Sequence, residues 1–80
     1  MSVDFNKQAK MTFEEVVDRG RDFLEKKGGF YGLLLTKILF DESTGLWTVE
    51  FNIGYFTSDL VMVKINDETG SIVAYERESR

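Results

Sequence analysis

Eighty residues with 14 acidic and 10 basic side chains, a formal net charge of −4, suffice for one small domain with a thin core. The chain has neither cysteine nor histidine, which excludes disulfides, thiol nucleophiles, thiolate metal sites and any triad built on imidazole. The acidic excess leaves no basic stripe to release phosphate counterions, so nucleic acid is not an expected partner.

Residues 1–11 show no sustained period and read as a flexible lead-in to a single domain over 12–80. They lack the apolar core of a signal peptide. The longest apolar run, Leu33–Leu35 extended to Phe40, is broken by Thr36 and Lys37 and is too short to span a bilayer. A cytoplasmic protein without membrane insertion is expected.

A helix opens at Thr12, where Thr12-Phe13-Glu14-Glu15 has the form of a capping box. Phe13, Val16, Val17, Phe23 and Leu24 recur at helical spacing, while Glu14, Glu15, Asp18, Arg21, Asp22 and Glu25 face away. Acidic residues open the helix, Lys26 and Lys27 close it, and Gly28-Gly29 supplies a left-handed stop. Gly20 interrupts the apolar stripe, where alanine would favour the helix by about 1 kcal/mol. It marks either close approach of a bulky sheet residue such as Trp47 or a notch beside a small pocket, for which Gly20, Trp47 and Glu50 are the candidate residues.

From Phe30 onward the period changes to two, and four strands are predicted over residues 30–40, 46–55, 60–66 and 71–77. The connections are short enough for hairpins, which gives an α+β domain: one N-terminal amphipathic helix packed on a four-stranded antiparallel meander. Two connections, Asp41-Glu42-Ser43-Thr44-Gly45 and Asp67-Glu68-Thr69-Gly70, share turn chemistry in which Asp opens the turn through its own side chain. Each offers two carboxylates, short of the six to eight oxygens that calcium takes, so no metal site is expected. No cofactor is expected either, since no glycine spacing suits a phosphate loop.

Strand two alternates cleanly, with Trp47, Val49, Phe51, Ile53 and Tyr55 opposed to Thr48, Glu50 and Asn52. Strand one is apolar on both sides: Phe30, Leu34, Ile38 and Phe40 point one way, and Tyr31, Leu33, Leu35 and Leu39 the other. Strand four likewise sets Ile72 and Ala74 against Val73 and Tyr75. A single helix covers one face, so Tyr31, Leu33, Leu35, Leu39, Leu60 and Met62 are left as a second apolar face and a candidate interface. Either the N-terminal segment, through Val3, Phe5 and Met11, folds over it, or a partner does, with a homodimer the simplest case. Lys37 and Lys64 would limit aggregation there.

Any catalysis would rest on carboxylates. Glu50, mid-strand, would need burial to raise its pKa, and its ordinary reading is a solvated residue in normal alternation. The chain is therefore read as a non-enzymatic protein-association module, the alternative being a small-ligand binder or minor enzyme with its pocket near Gly20 and Trp47.

The stretch Trp47-Thr48-Val49-Glu50, followed by Val63-Lys64-Ile65-Asn66-Asp67-Glu68-Thr69-Gly70-Ser71-Ile72-Val73, resembles the PepSY domain pattern: a strand with Trp before Val, an Asp-containing turn closed by Thr-Gly, and a return strand. The resemblance implies a non-enzymatic module of the kind found in protease propeptides, which inhibits or binds partners. Gly45-Leu46-Trp47-Thr48-Val49-Glu50 and Tyr75-Glu76-Arg77-Glu78-Ser79-Arg80 are also similar to the O-type gas vesicle accessory protein, although a chain without proline lacks that family's Pro-containing middle segment. Both resemblances lie within residues 45–80 and imply binding, not catalysis.

Overall fold

The structure is a computed structural model that describes residues 9–29, 32–53 and 59–78. Helix α1 (Phe13–Gly28) begins where the sequence places it. Thr12 is extended, its Oγ1 accepts from the Glu15 amide at 3.1 Å, and Glu15 Oε1 accepts from the Thr12 amide at 2.9 Å. Two orphan donors of the first turn are thereby satisfied. The helix ends at Gly29, whose φ of 67° is the left-handed geometry that glycine adopts without strain.

Four strands follow: β1 (Leu34–Asp41), β2 (Leu46–Asn52), β3 (Leu60–Asn66) and β4 (Ile72–Glu78), antiparallel and in the spatial order β1-β2-β3-β4. The fold is thus α+β, one helix on a four-stranded meander. The helix lies over the two central strands. It buries Val16, Gly20 and Leu24 against Trp47, Val49 and Phe51 of β2 and Val61, Val63 and Ile65 of β3. Side chains such as Phe51, Leu24 and Ile65 are fully buried, and each such burial contributes about 1.5–3 kcal/mol.

Strict alternation holds on β2 and β3 and fails on both edge strands. On β1, Leu35 opposes Phe51 and Lys37 opposes Glu50, which leaves Thr36 as the extra residue of a β-bulge. Directly opposed residues share a face. The bulge therefore turns Leu35 to the helix side with Ile38 and Phe40, and turns Leu34 to the far side with Lys37 and Leu39. This reverses the predicted placement of Leu34 and Leu35. On β4, Ile65 opposes Ile72 and Lys64 opposes Ala74, so Val73 is the extra residue. Ile72 and Tyr75 then share the helix side, where Tyr75 meets the Phe23 ring edge-on at 5.6 Å, while Ala74 and Glu76 take the far side.

Of the expected lead-in, residues 9–11 are described and lie against the domain. Ala9 and Met11 pack against the core, and the amides of Lys10 and Met11 are held by Asp67. The two turns have a common five-residue form. Gly45 donates to the Asp41 carbonyl at 2.8 Å and Gly70 to the Asn66 carbonyl at 2.7 Å. Asp41 opens the first turn by accepting from the Ser43 amide and hydroxyl, at 2.9 and 2.7 Å. In the second it is Asn66, not Asp67, that opens the turn, accepting from the Glu68 and Thr69 amides at 2.8 and 3.3 Å. Asp67 is released from turn duty and points inward.

Candidate functional site

The side of the sheet away from the helix is built from cross-strand rows that the register defines. One row runs Leu34, Asn52, Leu60, Glu78; the next Lys37, Glu50, Met62, Glu76; the next Leu39, Thr48, Lys64, Ala74. Thr36 joins the second row, since its hydroxyl lies 2.9 Å from Glu50 Oε2 and 3.1 Å from the Glu50 carbonyl. Among the described residues no helix covers this face. Leu34 and Leu39 are 64% and 56% exposed, and Leu60 and Met62 are half-buried.

Of the interface residues expected from sequence, Leu39, Leu60 and Met62 lie on this face. Leu33 and Leu35 do not: Leu33 packs against the core, and the Thr36 bulge carries Leu35 to the helix side opposite Phe51. Tyr31 lies outside the described residues. Leu34 was assigned inward and is the residue that alternation missed; the bulge that exposes it has no signature in the spacing of apolar residues. The face is also less apolar than expected, because Lys37, Glu50, Thr48, Lys64, Glu76 and Glu78 are interleaved with the leucines.

The pocket expected at Gly20, Trp47 and Glu50 does not form, because the three residues are separated. A Cβ on Gly20 would lie 3.3 Å from Phe51 Cε2, so the notch is filled by the Phe51 ring and not by Trp47. Arg21, expected to face away, lies with its guanidinium 5.6 Å from the centroid of that same ring. Glu50 is on the opposite side of the sheet.

Trp47 instead organises the end of the molecule where the helix begins. Phe13 meets it edge-on at 5.7 Å and Phe40 lies against it at 4.9 Å. Its indole Nε1 donates to Asp67 Oδ1 at 3.0 Å. Asp67 accepts two further bonds, from the Lys10 amide at 2.7 Å and the Met11 amide at 2.9 Å. Burial pushes the Asp67 carboxyl up, but these two amides, the indole and the Lys10 charge hold it below the ordinary aspartate range. The carboxylate is thus a clasp joining chain entry, β2 and the β3–β4 turn. Arg19 reinforces that turn by donating from Nη1 to the Gly70 carbonyl at 2.9 Å.

Counting back from the glycine of each turn, and not forward from the aspartate, would have aligned Asn66 with Asp41 and exposed Asp67 as the spare carboxylate. In front of Trp47, a shallow cleft of about 410 Å³ is lined by Ala9, Met11, Phe13, Phe40, Glu42 and Trp47. Among the described residues no group of three or more acidic side chains is gathered as a metal ion would require. Glu68 is engaged by the Lys10 ammonium at 3.2 Å. No described helix is long and apolar enough to cross a membrane. In comparisons with known proteins, the chain matches no family model, no curated protein and no solved structure.

Proposed function

We propose that this protein is a small non-enzymatic association module that pairs with a second copy of itself through the sheet face opposite the helix. The observation that carries the reading is the exposure of Leu34 and Leu39 beside Leu60 and Met62, on a face that no described helix covers. An 80-residue domain buries only roughly 60–65% of the surface its unfolded chain exposes, and association is a common way to complete such a core. The resemblance to PepSY-like modules, which bind partners, supports the same reading, and a cytoplasmic location goes with it. The buried carboxylate gives no support to catalysis, since Asp67 already accepts three hydrogen bonds.

Sedimentation across a dilution series tests the reading. A dimer that persists at low micromolar concentration and is lost in Leu39→Glu supports it; a wild-type monomer throughout contradicts it. A second reading, binding of a small apolar ligand, is favoured by the ring-lined cleft at Phe13, Phe40 and Trp47. It predicts that an apolar fluorescent probe quenches Trp47 emission saturably, and that Phe13→Ala abolishes the effect.

A further inference from the structure

The ring-lined cleft in front of Trp47 carries a single charge, and that charge decides what kind of ligand suits it. Phe13, 66% exposed, and the half-buried Phe40 both lie against Trp47, at centroid distances of 5.7 and 4.9 Å. Among the described residues that line the cleft, Ala9, Met11 and the three rings are apolar, and the Thr12 hydroxyl already accepts from the Glu15 amide. Glu42 is the one charged member. Its carboxylate is exposed and forms no ion pair or hydrogen bond with another described residue. Lys10, between Ala9 and Met11 in the chain, has its ammonium engaged by Glu68 at 3.2 Å.

We infer that this cleft binds a small alkylated ammonium ion free in solution, an inference that rests on the second reading above and gives its ligand a charge. The face of an aromatic ring is negative and attracts a cation within about 6 Å of its centroid. Phe13 and Phe40 supply the ring surface, and Glu42 supplies the counter-charge. Alkyl groups on the nitrogen spread the positive charge over an apolar surface, which matches Ala9 and Met11. The cleft, at about 410 Å³, lies within the range of small-molecule sites.

Other charged ligands fit the same residues less well. An anion is repelled by Glu42. An inorganic cation finds one carboxylate where calcium takes six to eight oxygens. A bare ammonium is compact and strongly hydrated, and rings cannot replace its water. The field of the protein also favours a cation. At the end of the molecule where the helix begins and the two turns meet, Glu14, Glu15, Asp41, Glu42, Asp67 and Glu68 outnumber Lys10 and Arg19. Such an excess raises the local concentration of cations. Glu14 and Glu15, in the first turn, offset the partial positive charge of the helix start, which would otherwise act against a cation.

The test compares choline with dimethylbutanol, its neutral isostere in which carbon replaces the nitrogen, by NMR titration of isotope-labelled protein at constant ionic strength. The Trp47 indole N–H and the Phe13 amide report binding. Choline is expected to shift both saturably with a dissociation constant of about 1 mM, and the isostere to bind at least about fivefold more weakly. Glu42→Gln should weaken choline about two- to fivefold and leave the isostere unchanged, and Phe13→Leu should remove most of the preference for choline. Far-UV circular dichroism melts establish that each variant folds. Equal binding of choline and its isostere overturns the charge selectivity and leaves the cleft as a site for apolar ligands. Binding of neither overturns both. Shifts that sodium chloride reproduces, or a choline preference that survives both substitutions, overturn the assignment to this cleft.

Discussion

Removing the Asp67 carboxylate should cost this protein a large share of its stability. Asp67→Ala leaves the buried Trp47 indole N–H without an acceptor and frees the amides of Lys10 and Met11, which were held at 2.7 and 2.9 Å. An orphaned buried donor costs about 1–3 kcal/mol, and a lost bond at a position water can reach costs about 0.5–1.5 kcal/mol. With one donor of the first kind and two of the second, the expected loss is about 3 kcal/mol. A domain of this length has about 4–12 kcal/mol in total. At about 4–8 °C per kcal/mol, the midpoint of thermal unfolding should fall by about 12–24 °C. Urea titration followed by Trp47 fluorescence and by far-UV circular dichroism measures the change. The same substitution made in Trp47→Phe should cost about 1–2 kcal/mol less, because no indole is then left orphaned, and a double-mutant cycle isolates that coupling. A loss below about 0.5 kcal/mol, or a cycle with no coupling, would refute the clasp.

Because the folded Asp67 carboxyl is held below its unfolded value, its contribution is full above about pH 4–5, where an unfolded aspartate is ionised, and is lost as pH falls through the lower folded value. The stability gap between wild type and Asp67→Asn should therefore narrow on acidification below about pH 4 and stay flat from pH 5 to 7; a gap that widens in acid would contradict the assignment. Gly20→Ala places a methyl 3.3 Å from the ring of Phe51, which is fully buried beneath the Arg21 guanidinium, and 3.9 Å from Val49 Cβ. Crowding of about 1–3 kcal/mol should outweigh the helix preference for alanine of about 1 kcal/mol, so thermal melts should show a lower midpoint, and a higher one would mean that Phe51 yields. Thr12→Ala removes one half of the capping box and should cost about 1 kcal/mol in urea unfolding.

The parts of this fold that local chemistry determines were legible in the sequence. The capping box at Thr12 and Glu15 and the stop at Gly29 are set by residues within one turn of each helix end, and β3 spans the residues predicted for it. The faces of the edge strands were not legible. A bulge at Thr36 or Val73 is a matter of hydrogen-bond register between strands, and a chain apolar on both sides gives alternation nothing to contradict. Leu34 and Leu35 consequently exchange faces: of the residues expected on the second face, Leu39, Leu60 and Met62 lie there, Leu33 and Leu35 do not, and Leu34 joins them. The residue facing Gly20 was misassigned for a similar reason: Trp47 and Phe51 share one face of β2, and only the position of the helix along the strand decides which ring meets the notch. Asp67 was hidden by the likeness of two turns whose opening residues, Asp41 and Asn66, differ in type but not in role.

Whether the uncovered face of the sheet meets a second copy of this protein is decided by sedimentation equilibrium of wild type and Leu39→Glu from about 1 to 100 μM. The wild-type mass is expected to rise to that of a dimer across this range, and the variant to stay monomeric with an unchanged circular dichroism spectrum. A wild type that remains monomeric at 100 μM, or a Leu39→Glu variant that dimerises as well as wild type, would contradict association through this face.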